Sequence, residues 1–447
     1  MTPTTSRPPR LRFRFPDWAG RNFRLLAAAA FVTNLGTSGA VVASAFAVLR
    51  AGGDATDVGL VAAARTVPLV VFLLIGGAVA DRLPRHRVMV AANCLNAVSQ
   101  GVFALLVISG EARIWQMAVL AALGGTGTAF FAPANEGMLL STVDGAHAGR
   151  AFAVFRLGVN GANVGGAALA GALIALVGPG WVLAVDAACF ALAASLRALL
   201  RVTRTAAAAT PGGGLLRDLH DGWREFASRR WLWGIVVQFS VVNAVMVAAE
   251  AVYGPLVSQA ELGGAGPWGA ALAAFGVGNI LGGFLMLRWR PRRILLAGTL
   301  CVFPFALPAV ALALVLPVPL LAATMLVAGL SIEVFGVTWM LALRQEIPED
   351  KLSRVAAYDW FGSVSMIPLG TALAGPAAGA FGLTGALWGC AGLAVLLTGA
   401  VLLAPEVRAL RRKDTTAEVA GGGPAPVVQP IPNDPPGGSG EGTASLS

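Results

Sequence analysis

The sequence predicts an all-α membrane protein of twelve transmembrane helices arranged as two six-helix pseudo-repeats. Three observations predict it. The first is composition: 56% of the 447 residues are hydrophobic and only 12% are charged, about half the ~25% charged residues of a soluble domain. No water-soluble core could hide that much apolar surface. The second is a series of twelve apolar segments, each matching the about 20 residues that a helix needs to cross a ~30 Å hydrocarbon core. The third is a repeat, because a shift of 204 residues lays parts of the second half over the first.

In chain order the first six spans lie near residues 24–49, 57–81, 88–109, 114–140, 150–178 and 180–200. The last six lie near 231–257, 264–287, 292–316, 318–343, 354–380 and 384–404. Glycine and proline punctuate the joins, as in VGPGW (177–181) and LPVPL (316–320). Residues 1–23 form a Pro- and Arg-rich arm, without the apolar core and small-residue cleavage site of a signal peptide. Residues 201–230 are the one long hydrophilic segment between spans, a linker dividing a bundle at 24–200 from a bundle at 231–404. Residues 405–447, rich in Gly, Pro and Ser, read as a disordered tail.

Orientation follows from the basic residues, since cytoplasmic loops carry the excess of Lys and Arg. Of the 32, 28 fall in the arm, the tail and the loops on one side of the spans. Arg50 and Arg113 fall on the other side, and Arg65 and Arg156 lie within spans. Both termini and the linker are therefore expected in the cytoplasm, in a multi-pass protein of the cell membrane.

The repeat is clearest in spans 5 and 11. Under the 204-residue shift Arg150 falls on Arg354, Gly158 on Gly362, Gly166 on Gly370 and Gly178 on Gly382, and ALAG (168–171) falls on ALAG (372–375). GGAVADR (76–82) lies less closely over GGFLMLR (282–288). Two parallel halves are an architecture of secondary transporters, with the substrate site between them near the midplane.

Other classes are excluded. The net charge of +9 is spread in short runs between apolar segments, which does not make a nucleic-acid face. The four cysteines lie inside apolar spans with no CxxC spacing, and the three histidines fall in separate loops, so no metal site is predicted. There is no HExxH, GxSxG or P-loop, and GVGNILGG (276–283) has the wrong glycine spacing for a dinucleotide fingerprint. The chain is not expected to be an enzyme, and no cofactor is implied. Without an ATP-binding domain, the energy must come from an ion gradient or from the substrate's own gradient, and a proton gradient is the expected source.

The stretch GGAVADRLPRHRVMV (76–90) carries a family resemblance. Gly77, Asp81, Arg82, Arg85 and Arg87 resemble the signature loop between spans 2 and 3 of the major facilitator superfamily, with Pro84 where Gly is usual. AARTVP, FFAPANEGML (130–139), VLAVDAACF and the stretch 342–376 resemble its branch of enterobactin and macrolide exporters. The resemblance covers about residues 20–404. It implies a gate in which Asp81 faces the N-terminus of span 11, whose free N–H groups favour an anion, while the arginines tether the loop. Two departures bear on coupling. Span 4 lacks the arginine common in proton antiporters, and the span 5 motif survives only as Gly161 and Gly165, with Gly166 in place of its proline.

Charges within spans are expensive, at least ~2.5–3.5 kcal/mol at the centre of a helix, so each needs a reason. Glu333, near the middle of span 10, is the expected coupling or substrate-binding carboxylate. Arg65, Glu250, Asp359, Asn34, Asn160 and Asn163 are further candidates for substrate or coupling. Asp186 is expected to face the scaffold, and Glu136 and Arg156 to pair with each other. The expected function is export of a small amphipathic molecule (a drug, siderophore or natural product) by alternating access and proton antiport, by a monomer in the lipid bilayer. Import of a polar nutrient is the rival reading, with a multi-span membrane enzyme or receptor a more distant one.

Overall fold

A computed structural model describes residues 19–82, 84–142, 147–200 and 223–412. In hydrocarbon a backbone must pair its own polar groups, and an apolar helix does so within one segment. The first six helices are α1 (Arg21–Arg50), α2 (Ala55–Arg82), α3 (Arg85–Ser109), α4 (Ile114–Ser141), α5 (Ala148–Val177) and α6 (Pro179–Ala198). Next come α7 (Arg230–Leu262), α8 (Ala265–Arg288), α9 (Ile294–Ala313) and α10 (Val318–Glu346). Pro304 and Pro308 lack the N–H groups that would continue α9, and it tightens into a 3-10 turn at Phe303–Ala306.

Among the described residues eleven stretches, not twelve, are long and apolar enough to cross a membrane. The last, Val355–Leu402, has 48 residues, which at 1.5 Å per residue is roughly 72 Å and more than two hydrocarbon thicknesses. Gly382 breaks it, with φ 72° and ψ 162° inside the helix. Gly178 separates α5 from α6 in a similar conformation, φ 99° and ψ 163°. The repeat places these two glycines on one another, so the stretch divides into α11 (349–381) and α12 (383–402).

The helices alternate in direction, giving the protein an arginine-rich end and an arginine-poor end. Within the first six, α1 packs on α5 and α6, α3 on α4 and α6, and α2 on α4. Within the last six, α8 packs on α10, and α7 on the α11–α12 stretch. Two broad contacts join the sets, α5 on α8 and α2 on α11. At the arginine-poor end of both, glycines let backbones touch. A methyl group on Gly171 of α5 would lie 2.8 Å from the Ala265 carbonyl oxygen and 2.9 Å from the Gly269 Cα. Its repeat counterpart, Gly375 of α11, would collide with the backbone of Thr56 at the start of α2. At this end the two sets of helices are thus in backbone contact at both crossings.

The arginine-rich end has a clasp. A short helix at 223–228 carries Glu225, which accepts hydrogen bonds from Arg229 at 2.7 Å and Lys351 at 2.9 Å. The Lys351 ammonium, and then Arg229, hold the Glu225 carboxyl below its usual range. Trp223 and Phe226 pack on Tyr358 of α11. Residues 405–412, at the start of the expected disordered tail, are structured here. Pro405–Ala409 is helical with Val407 buried, and Glu406 accepts a hydrogen bond from the Trp231 N–H at the first turn of α7.

Candidate substrate cavity

A cavity of about 230 Å³ lies between the two sets of helices, towards the arginine-poor end. Alanines and valines of α1 and α2 make seven of its sixteen lining residues, joined by Phe103 of α3, Ala121 of α4, and Val247 and Ala251 of α7. Its polar groups are Ser44, Arg65, Thr66, Gln100 and Thr371. Arg65 is its one charged side chain, so this candidate from the sequence reaches the interface between the halves. Two local features place it. The pyrrolidine of Pro68 interrupts the hydrogen bonding of α2, while Thr66 Oγ1 donates to the Ala62 and Ala63 carbonyls. Gly125 of α4 abuts the Arg65 carbonyl, bringing α4 against this turn.

Behind the wall lies Asp186 of α6, fully buried. Thr37 of α1 donates to its Oδ1 at 3.4 Å, and Gly36 leaves the space that this carboxylate occupies. The carboxylate forms no ion pair within 4 Å with Arg65 of the cavity wall. Asp186 thus faces the interior of the first six helices, in line with the scaffold position expected for it.

Glu333 of α10 stands 3.7 Å from Arg156 of α5, with 22% and 56% of their side chains exposed. Arg156 therefore meets Glu333 across the two halves; the side chain of Glu136, its expected partner, lies outside the described residues. Gly282 of α8 lets α8 approach the Glu333 Cβ. Glu250 sits in a π-helical turn of α7, Ala249–Tyr253, beside an apolar gap of about 20 Å³, little more than one water could fill. Asp359 accepts a hydrogen bond from Trp339 Nε1 at 3.0 Å. That indole ends an aromatic stack through Phe335 to Phe239.

The asparagines differ. Asn34 bonds the Ala30 carbonyl of its own helix, while Asn160 and Asn163 are half-buried on α5. Gln238 bridges to Thr398 of α12, and Asn243 to the Ser363 carbonyl of α11. The side chains of Gly77, Asp81 and Arg82 lie outside the described residues. Arg85 is half-buried at the start of α3, and Arg87 is exposed.

Two features escaped the sequence reading. Arg197, counted there as a loop cation, is fully buried at the end of α6, over the Phe131 ring at 4.5 Å and 3.3 Å from Thr33 Oγ1. Asn93, Asn96 and Gln100 are buried together on α3. Their spacing of three and four residues inside an apolar span was the signal that could have found them.

A family model described as Transmembrane secretion effector matches residues 15–429. The chain is 29% identical over 414 residues to the multidrug efflux pump Tap of Mycolicibacterium fortuitum, covering 86% of this chain and 96% of that protein. It is 27% identical over 406 residues to Tap of Mycobacterium tuberculosis, covering 86% and 93%. In structure it is similar to the nucleoside transporter NupG, with TM-score 0.68, 13% identity, and 85% and 98% of the two chains covered. It is also similar to a bacterial homologue of the human lysosomal transporter Spinster in an inward-facing, occupied conformation, with TM-score 0.66, 15% identity, and 87% and 97% covered. At such identities the solved structures share the fold alone.

Proposed function

Because the chain belongs to the transmembrane secretion effector family, secondary transporters of the major facilitator type, we propose that it exports small amphipathic molecules, drugs among them, by proton antiport and alternating access. The observation that carries this reading is the cavity between the halves, mostly apolar with one cation in its wall, beside the glycine contacts of the arginine-poor end. Such a wall suits a hydrophobic body with few polar groups, and the Tap proteins to which the chain is similar are named multidrug efflux pumps.

In this reading the bundles 24–200 and 231–404 rock about the α5–α8 and α2–α11 crossings, with the linker 201–230 tying them. The arginine-poor end is the outside, so the arm 1–23 and tail 405–447 are cytoplasmic. Asp81, with Gly77, Arg82, Arg85 and Arg87, is the cytoplasmic gate. Glu333 is a coupling or substrate-binding carboxylate whose bridge to Arg156 must break and re-form as the halves move. One chain supplies both halves of the cavity, and it works as a monomer.

The test is accumulation of tetraphenylphosphonium and of neutral lipophilic drugs in a host stripped of its own efflux pumps. Expression should lower accumulation, and a protonophore should restore it. Raised accumulation would mean import, and unchanged accumulation across the panel would sink the exporter reading.

A further inference from the structure

The first six helices hold a group of buried polar atoms that the protein itself leaves unpaired. Asn93 Nδ2 and Oδ1, Asn96 Oδ1, Gln100 Oε1 and Asp186 Oδ2 are buried without hydrogen-bond partners. Native interiors pair nearly all such atoms, with ordered water where protein groups do not serve, and hydrocarbon offers no alternative. Asn93, Asn96 and Gln100, exposed by 1%, 2% and 6%, stand at positions i, i+3 and i+7 of α3 and so share one face. Gly124 of α4 faces them, and a methyl placed there would still be 3.7 Å from Gln100 Nε2 and 3.8 Å from Asn96 Oδ1. Gly101, next to Gln100, lies level with Ala187, next to Asp186. At this level Gln100 and Arg65 also line the cavity, whereas Asn93 lies about 10 Å nearer the arginine-rich end along the helix.

We propose that water fills this face of α3 and that Asp186, reached through it, is a proton-exchanging carboxylate of the transport cycle, with Arg65 as its partner in charge. The inference rests on the proton-antiport reading and places its proton site in the first six helices, apart from Glu333. The ionised carboxylate takes a proton from hydronium, leaving water and a carboxylic acid, and later returns that proton to water. While Asp186 is ionised, the pair with Arg65 is neutral and the cavity wall accepts a lipophilic cation. Once Asp186 is protonated, the Arg65 charge is uncompensated and repels that cation. Among the described residues, Arg65 of α2 is the one charged side chain in the adjoining cavity wall, α1 contributes the Thr37 hydroxyl, and the Cys189 thiol of α6 stands beside Gly36 with the carboxylate.

Infrared difference spectra of the purified full chain in lipid, recorded across a pH step and without substrate, test this. The wild type should show a protonated-carboxyl band that exchanges with deuterium. Asp186→Asn should lose it and Glu333→Gln should keep it. Gln100→Met, close in shape but dry, should slow the deuterium exchange several-fold, and it keeps the test decisive if Asp186→Asn does not fold. A band that survives Asp186→Asn, or one that exchanges at the wild-type rate in Gln100→Met, overturns the proposal. Failure of the wild type to export any compound would defeat the exporter reading while leaving these spectra to decide the site.

Discussion

Glu333 and Arg156 form a pair whose parts are unequally wet, with Arg156 more than half exposed. A pair of that kind contributes little to stability, about 0.2–1 kcal/mol. Arg156→Ala should therefore barely lower the melting temperature of the protein in detergent. A loss of transport without a loss of stability would mark the pair as part of the cycle. Glu333→Gln should leave substrate exchange intact and abolish export driven by a pH gradient in proteoliposomes; undiminished gradient-driven export would remove Glu333 from the mechanism. Arg197 is a different case, because it is fully buried and touches Phe131 and Thr33. It was read as a loop residue because a sequence shows a cation near the end of a span without showing which way it turns.

Individual helices depend on a few glycines. Gly178 and Gly382 adopt positive φ with extended ψ, a region essentially confined to glycine. Gly382→Ala should cost about 1–3 kcal/mol, read as a lower melting temperature. At the crossings Gly171 and Gly375 let backbones meet, so valine at either should hold the arginine-poor end apart. A cysteine placed at Ser44, in the cavity wall, should then label faster with an impermeant reagent, on a background free of the four native cysteines. Unchanged labelling would mean that these crossings do not close the cavity. The clasp at the other end is held by charge. The Glu225 carboxyl lies below its ordinary range because of Lys351 and Arg229, so its contribution is complete above the unfolded value of about 4.3. It is lost as the pH falls through the lower folded value. Glu225→Gln should expose the linker at neutral pH, speeding proteolysis near Ser228 up to about five-fold, as expected for a contact of up to ~1 kcal/mol.

Across the whole molecule, the distribution of basic residues sets the expected orientation, with 28 of 32 on one side. A cysteine at Ser228 should stay unlabelled by an impermeant reagent in intact cells and become labelled after permeabilisation. Labelling in intact cells would invert the topology. The same scale shows why the repeat matters. Gly171 and Gly375 occupy matching crossings, and Gly178 and Gly382 matching breaks, so each half reuses one solution to packing and reversal.

The sequence by itself determined the helical membrane fold, because hydrocarbon leaves a chain few ways to satisfy its backbone and every span must be long and apolar. It also singled out Glu333 and Arg65, since an intramembrane charge is conspicuous in such a composition. Only the tertiary structure decided what these charges meet. Arg156 finds Glu333 on another helix, Arg65 reaches the cavity between the halves, and the polar face of α3 closes on Gly124. Each is a contact between helices distant in the chain. Hydropathy and spacing fix the depth of a residue in the membrane and its face on the helix, but the neighbour across that face is set by how the helices pack.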